Sequence, residues 1–441
     1  VTIIGDDAVH ADDAPVGSTI ASVVAPDAAL PVRVPVDRYV SPVYAALEHE
    51  RLWPRVWQIA CSLDAVAHPG DFFEYRVGNL TVVVVRGQDG VLRAFQNVCL
   101  HRGNALCEGH GGGLTELRCP YHRWAWTLDG RLREVPSRKG FGPLRNDDLP
   151  LVPVQVDTWG PIVFVNLDPD AAPLAEFLGE VPADCAWAEL DEFRCVAQIT
   201  QPAPCNWKTL IDAFSETYHV QGIHREMLRM ADDVNSPQII WDWHGKLEQP
   251  YGVQSPRLRT ALPAQEVWEG FVEVMGGRMG VGSVADAGPV PEIPEGQTLR
   301  DVLAERIRAH QLATRGCDLA RFTTAQVMDL QQYNLFPNVT VLVFADMLQV
   351  VKSRPGATPD EAWMDVLSYV RAPDPSAPRT PPLVVDLPHA GAADLGLVLN
   401  QDVANFARAQ RGLHQPGFTH LTLSGEECRI INLHRNLDRF L

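Results

Sequence analysis

Between residues 71 and 166 apolar positions come in short runs rich in Val, Phe and Tyr, broken by turn residues, as at 72–77, 81–86 and 92–98. Runs of this length and make-up predict strands, and Asp129-Gly130 reads as a tight hairpin turn. The pattern ends near 162–167, after which helical periodicity enters, with 298–312 helix-like and 363–371 strand-like. Upstream, Ser41-Pro42 supplies an N-cap and a first-turn proline for a helix through Leu52. The first 35 or so residues, with Asp6, Asp7, Asp12 and Asp13 among small apolar residues, predict a loosely attached arm. The chain thus divides into an arm (1–40), an all-β module with its preceding helix (41–167) and a mixed domain (168–441), an α+β protein. Two Gly/Pro-rich stretches, 276–297 and 372–393, predict long surface loops, and loops of this length often act as lids.

Composition narrows the function classes. A net charge of −18 over 441 residues disfavours nucleic acid and other polyanions as partners. The longest apolar stretch, around Val82 to Val85, is strand-sized and cannot span a bilayer. Nine cysteines, an odd number, are scattered with no leading apolar run, which points to a reducing cytoplasm.

Two cysteine and histidine pairs carry the first chemistry, Cys99-x-His101 and Cys119-x-x-His122, seventeen residues apart. Two thiolates and two imidazoles suit a structural zinc or a [2Fe-2S] centre of the Rieske type. Zinc fingers usually draw both cysteines from one knuckle and both histidines from another, whereas each pair here contributes one of each. In a Rieske cluster one iron takes both thiolates and the other both imidazoles, so each loop reaches both irons. Cys107 and His110 fall outside the two-loop pattern, in the Gly-rich connector.

A second constellation lies in the mixed domain, in CNWKTLIDAFSETYHVQGIH. Glu216 and His219, three apart, are expected on one helical face, with Gly222 ending the helix so that His224 turns back to the same place. Two imidazoles and a carboxylate form the facial ligand set of non-heme Fe(II) oxygenases, with Glu216 itself a candidate third ligand. Di-iron bundles also use Glu-x-x-His but need a second copy, and none is evident.

Around Cys99 to Gly103 and Cys119 to Trp124 the chain resembles the Rieske domain of ring-hydroxylating and related non-heme iron oxygenases, with their C-x-H-R-G and C-P-Y-H-x-W loops. Asn104 and Tyr121 stand where respiratory Rieske proteins carry disulfide cysteines, leaving Pro120, Tyr121 and Trp124 to pack the loops together. Arg123 replaces the family's usual glycine. Asn206, Trp207, Lys208, Glu216, His219 and His224 also fit the oxygenase pattern. The resemblance implies a Rieske [2Fe-2S] cluster on Cys99, His101, Cys119 and His122, and a mononuclear Fe(II) on His219, His224 and a distant aspartate, best matched by Asp402 in Leu399-Asn400-Gln401-Asp402. It implies for Glu216 a bridge between His219 and His122 of a neighbouring subunit, with Asp212, one turn earlier, the runner-up. It also implies a helix-grip (START-like) catalytic domain, a curved antiparallel sheet wrapped over a long helix, and a homotrimer with or without a small β subunit.

Electron counting fits two sites, since activating O2 at a single iron for hydroxylation takes two electrons, one stored by the cluster and one supplied by Fe(II). No G-x-G-x-x-G after a strand and no plant-type ferredoxin cysteine run is present, so a ferredoxin or an NAD(P)H-dependent reductase is expected as a separate partner. Phe214, Val220, Met227 and Phe344 are the candidate pocket residues. The expected reaction is hydroxylation of a hydrophobic aromatic or polycyclic compound, as in aromatic hydrocarbon catabolism. The alternatives are monooxygenation or demethylation of a small amine or ether, a Rieske electron carrier without oxygenase activity, and a zinc-stabilised binding module.

Overall fold

The computed structural model describes residues 2–4 as backbone and residues 30–441 in full. Asp6, Asp7, Asp12 and Asp13 of the expected arm lie outside the described residues. Order begins before Ser41, contrary to expectation. The strand Val32–Pro35 pairs with His420–Leu423, and Tyr39 is buried. Ser41 then caps the helix Pro42–Leu47 by accepting from the Tyr44 N–H, and a π-helical turn, Glu48–Leu52, follows.

The β-module is a seven-stranded sheet, built mainly from Gln58–Ser62, Phe72–Val77, Leu80–Arg86, Leu92–Gln96, Pro153–Trp159 and Ile162–Asn166. Its central run Val82 to Val85 is buried on both faces, which is why it reads as continuous rather than alternating. Val83 and Val85 pack into the core that holds Cys99 and Cys119. Val82 and Val84 face the other way, into a core shared with Trp207, Leu210 and Met364 of the mixed domain. One strand therefore fastens the cluster loops to the second domain. A three-stranded ribbon, Leu117–Arg118, Ala125–Trp126 and Leu132–Glu134, presents the second loop.

The mixed domain is a curved sheet. From one edge its strands run Thr2–Ile4, Gln238–Ile240, Gly245–Gln249, Leu330–Leu335, Val339–Val343, Met347–Pro355, Ala362–Arg371, Phe193–Ala203 and Leu383–Asp386. All neighbours are antiparallel except the last pair. Leu383–Asp386 lies inside 372–393, so that stretch is in part an edge strand and not simply a loop. The long helices Leu299–Arg315 and Leu397–Leu413 flank the sheet; a Thr298/Asp301 capping box starts the first, and Gly316 at φ +67° ends it. Among the described residues no helix is long and apolar enough to cross a membrane.

The Asn206-Trp207-Lys208 motif joins the two domains. Asn206 caps the helix Trp207–Asp212, and the Trp207 indole (3.0 Å) and the Lys208 ammonium (2.5 Å) both donate to Glu48 from the first helical segment. Lys208 and Glu48 are buried, so removing either partner alone leaves an uncompensated charge at a cost of about 3–5 kcal/mol.

Candidate metal centres and substrate cavity

The two cluster loops close by the same backbone pattern. Cys99 N–H donates to the Asn104 carbonyl (2.7 Å) and Gly103 N–H to the Cys99 carbonyl (2.9 Å); Cys119 N–H donates to the Trp124 carbonyl (2.8 Å) and Arg123 N–H to the Cys119 carbonyl (3.1 Å). The fifth residue of each loop is left-handed, Gly103 at φ +77° and Arg123 at φ +64°. The glycine-to-arginine departure thus falls on a position where a side chain is strained, by roughly 1–2 kcal/mol.

Both thiols are buried and both imidazoles are half-buried, so sulfur lies inward and nitrogen outward. The His101 and His122 rings are 4.6 Å apart, and His101 stacks on Trp124 of the other loop at 5.0 Å with planes 5° apart. That cross-loop stacking holds the loops where no disulfide does. The buried His101 Nδ1 has no hydrogen-bond partner, leaving a nitrogen lone pair for a metal. Tyr121, exposed, lies over the His122 ring, with the Arg102 guanidinium on its face. His110 lies on the connector instead, stacked on Phe73.

The second constellation is assembled differently. The helix Trp207–Asp212 stops before Glu216, so Glu216 and His219 do not share a helical face as the spacing predicts. The Phe214 carbonyl accepts from the side chains of Gln332 (2.6 Å), Asn334 (2.8 Å) and Thr340 (3.1 Å), bonds that compete with continuation of the helical ladder. A four-residue helix, Val220–Ile223, then separates His219 at its start from His224 at its end. Gly222 sits inside that helix. Asp402 comes from the first turns of Leu397–Leu413 and is buried.

Ligand atoms of His219, His224 and Asp402 all lie within 4.8 Å of one another. His224 Nε2 is 3.1 Å and His219 Nε2 3.8 Å from Asp402 Oδ1. Each ring is held at its other nitrogen, His219 Nδ1 by Glu216 Oε1 and His224 Nδ1 by Gln401 Oε1, both at 2.6 Å. Acceptors at Nδ1 fix the tautomer that leaves Nε2 free, so the donor set fits one metal ion with two imidazoles and one carboxylate. Gln401 is itself held by Glu226, to which its amide donates. Burial alone would lower the His219 pKa, but the Glu216 and Asp402 carboxylates together outweigh it and raise it.

Glu216 is therefore beside the ligands and does not join the three-atom cluster. Asp212 points elsewhere. Its carboxylate accepts from the Tyr39 hydroxyl (2.7 Å), and burial pushes its pKa up to about 7, so it does not share Glu216's position on His219.

A cavity of about 220 Å³ opens on the three ligands. Phe214, Val220, Met227 and Phe344 line it, together with residues the sequence did not single out, among them Gln249 and Tyr251. Its floor is the concave sheet face, where strand register sets Gln332, Leu342 and Gln349 in one row. Neither Pro-rich stretch supplies a lining residue, although Met275 and Leu395 just outside them do. Among the described residues no lysine or arginine lines the cavity. Gln401, Glu226 and Gln249 carried no local sequence signal, since each acquires its role only through chain segments far away.

Comparison with known proteins places these features. The family described as Ring hydroxylating alpha subunit (catalytic domain) matches residues 190–441, and the Rieske [2Fe-2S] domain family matches residues 56–154. The carnitine monooxygenase oxygenase subunit of Escherichia coli (strain K12) is 32% identical over 215 residues, covering 48% of this chain and 57% of that protein. The glycine betaine monooxygenase oxygenase subunit of Pseudomonas aeruginosa is 29% identical over 251 residues, covering 53% and 58%. The chain thus spans under two thirds of the length of both curated relatives. A quaternary ammonium Rieske monooxygenase solved with L-carnitine superposes with a TM-score of 0.65 at 17% identity, covering 93% of this chain and 96% of that one. Naphthalene 1,2-dioxygenase from Rhodococcus sp. superposes at 0.63 and 19%, covering 92% and 94%. At those identities the superpositions speak for the fold, whereas the two sequence families speak for kinship. This chain, with a Rieske domain followed by the catalytic domain of a ring-hydroxylating α subunit, belongs to the Rieske oxygenase α-subunit family.

Proposed function

We propose that the chain is the terminal component of a cytoplasmic Rieske oxygenase that uses O2 to monooxygenate a small amine, with electrons from a separate ferredoxin or NAD(P)H-dependent reductase. Cys99, His101, Cys119 and His122 would hold the cluster, and His219, His224 and Asp402 the mononuclear iron. When bound, these groups store single electrons and activate dioxygen. The chain's own part is to orient. Glu216 and Gln401 fix the two imidazole rings, and Val220, Met227 and Leu342 supply apolar wall beside them. Assembly as a trimer would bring the outward-facing His122 of one subunit against Glu216 of the next.

The observation that carries the amine reading is the cavity wall. It offers the aromatic residues Phe214, Tyr251 and Phe344, with Tyr251 and Phe344 centroids 5.8 Å apart, and among the described residues no lysine or arginine lines it. Aromatic faces attract ammonium groups by about 0.5–2 kcal/mol each. The curated relatives named above are monooxygenases of carnitine and glycine betaine, which favours the amine over the hydrocarbon that the sequence put first. Incubating the reconstituted system with 18O2, a panel of trimethylammonium compounds and a panel of ring compounds tests this. Labelled oxygen in the alcohol or aldehyde formed from an ammonium compound and none in the ring products is expected; the reverse would return the substrate to the aromatic class.

A further inference from the structure

Within the cavity one polar group is left over. Gln249, at the end of the strand Gly245–Gln249, is 2% exposed and lines the cavity, and its Nε2 has no hydrogen-bond partner among the described residues. A buried amide donor without a partner is a net cost to folding, and one that faces a binding cavity is a natural contact for a ligand atom. Its neighbour on the floor, Gln332, is committed elsewhere. The Gln332 amide donates to the Phe214 carbonyl and its oxygen accepts from Arg429 at 3.1 Å.

The charges around the cavity limit what that ligand atom can be. Carnitine and glycine betaine, the compounds for which the curated relatives are named, both carry a carboxylate, which in a buried site calls for a guanidinium or ammonium partner. Among the described residues none lines this cavity. Arg278, whose guanidinium lies over the Phe344 ring at 4.3 Å, is ion-paired with Asp346, and Arg429 sits behind Gln332 and Asn334. Resting on the amine reading above, we infer that the substrate carries no carboxylate and that Gln249 seats a neutral oxygen of the substrate, a hydroxyl or carbonyl. A hydroxyl suits either orientation of the amide, since it both donates and accepts.

The test compares choline, its deoxy analogue ethyltrimethylammonium and its carboxylate analogue glycine betaine, by calorimetric titration of the holoenzyme. The neutral pair 1-indanol and indane is run alongside. Choline is expected to bind at least about tenfold more tightly than either ammonium analogue. Gln249→Leu should erase the preference for choline over ethyltrimethylammonium while leaving Tm unchanged or higher, since it removes an unpartnered donor. Gln249→Glu should retain binding of the ammonium group with altered hydroxyl selectivity. Equal binding of choline and ethyltrimethylammonium by the wild type, glycine betaine binding as tightly as choline, or a hydroxyl preference that survives Gln249→Leu would each overturn the assignment. A preference for 1-indanol over indane that is lost in Gln249→Leu, with no ammonium compound bound, would keep the Gln249 anchor and remove the amine reading. Ammonium binding without hydroxyl preference would do the opposite.

Discussion

The two candidate metal centres are built on opposite plans. The proposed cluster ligands come from two short loops with the same hydrogen-bond closure, 99–104 and 119–124, so most of their geometry is local. The proposed ligands of the second site are His219, His224 and the distant Asp402, and each imidazole is oriented by a different side chain. Local loops tolerate change in the rest of the fold; a site assembled across the domain depends on every element that brings it together. The comparison predicts that substitutions should separate the two centres.

Asp402→Ala should separate them most. It removes the only carboxylate in the three-residue cluster, so iron should fall from about three to about two atoms per chain while the cluster's visible spectrum is unchanged. Product formation should fall to background. Loss of the cluster spectrum as well would mean that the two sites are not independently built.

Glu216→Gln comes next. The amide keeps the volume and an acceptor for His219 Nδ1 but loses one of the charges that raise the His219 pKa. Iron content should remain near wild type while substrate-coupled turnover falls by roughly 10–100-fold. Rapid reduction of the cluster with slow product formation in single-turnover measurements would place the fault between the centres. Normal activity would remove the bridge from the proposed function.

Gln401→Leu acts on the other ring. It removes the acceptor from His224 Nδ1 and leaves Glu226 without its amide partner. Iron affinity at the second site should weaken about tenfold, read by chelator competition, with the cluster unaffected. Gln401→Glu combined with Glu226→Gln, which keeps the acceptor on His224 and a donor between the two side chains, should recover most of it.

The same contrast explains what could be read from the sequence. The two cluster loops were legible because C-x-H and C-x-x-H spell out a loop that folds on itself. His219 and His224 were legible as chemistry, but the helix expected to carry Glu216 and His219 ends at Asp212. Its Phe214 carbonyl is claimed by side chains of two strands more than a hundred residues away, a competition no local periodicity records. The strand inside 372–393 was hidden by prolines that tolerate an edge position. Val82 to Val85 showed up as a strand, but only the packing shows that its two faces serve two domains.

The smallest expected effect tests the symmetry of the cluster loops themselves. Gly103 and Arg123 occupy equivalent left-handed positions, so their substitutions should have opposite signs. A Cβ at Gly103 would meet nothing within 4 Å, so Gly103→Ala carries backbone strain alone and should destabilise by about 1 kcal/mol. Arg123→Gly relieves the same strain, less the extra chain entropy that glycine loses on folding, for a net gain of up to about 1 kcal/mol. Arg118 donates to the Arg123 carbonyl, a backbone bond that the glycine variant keeps. Thermal loss of the cluster's visible absorption should therefore shift to lower temperature in Gly103→Ala and to slightly higher temperature in Arg123→Gly. Loss of stability in both would mean that the Arg123 side chain makes a contribution that outweighs its backbone strain, and the two loops would then be alike in hydrogen bonding but not in energy.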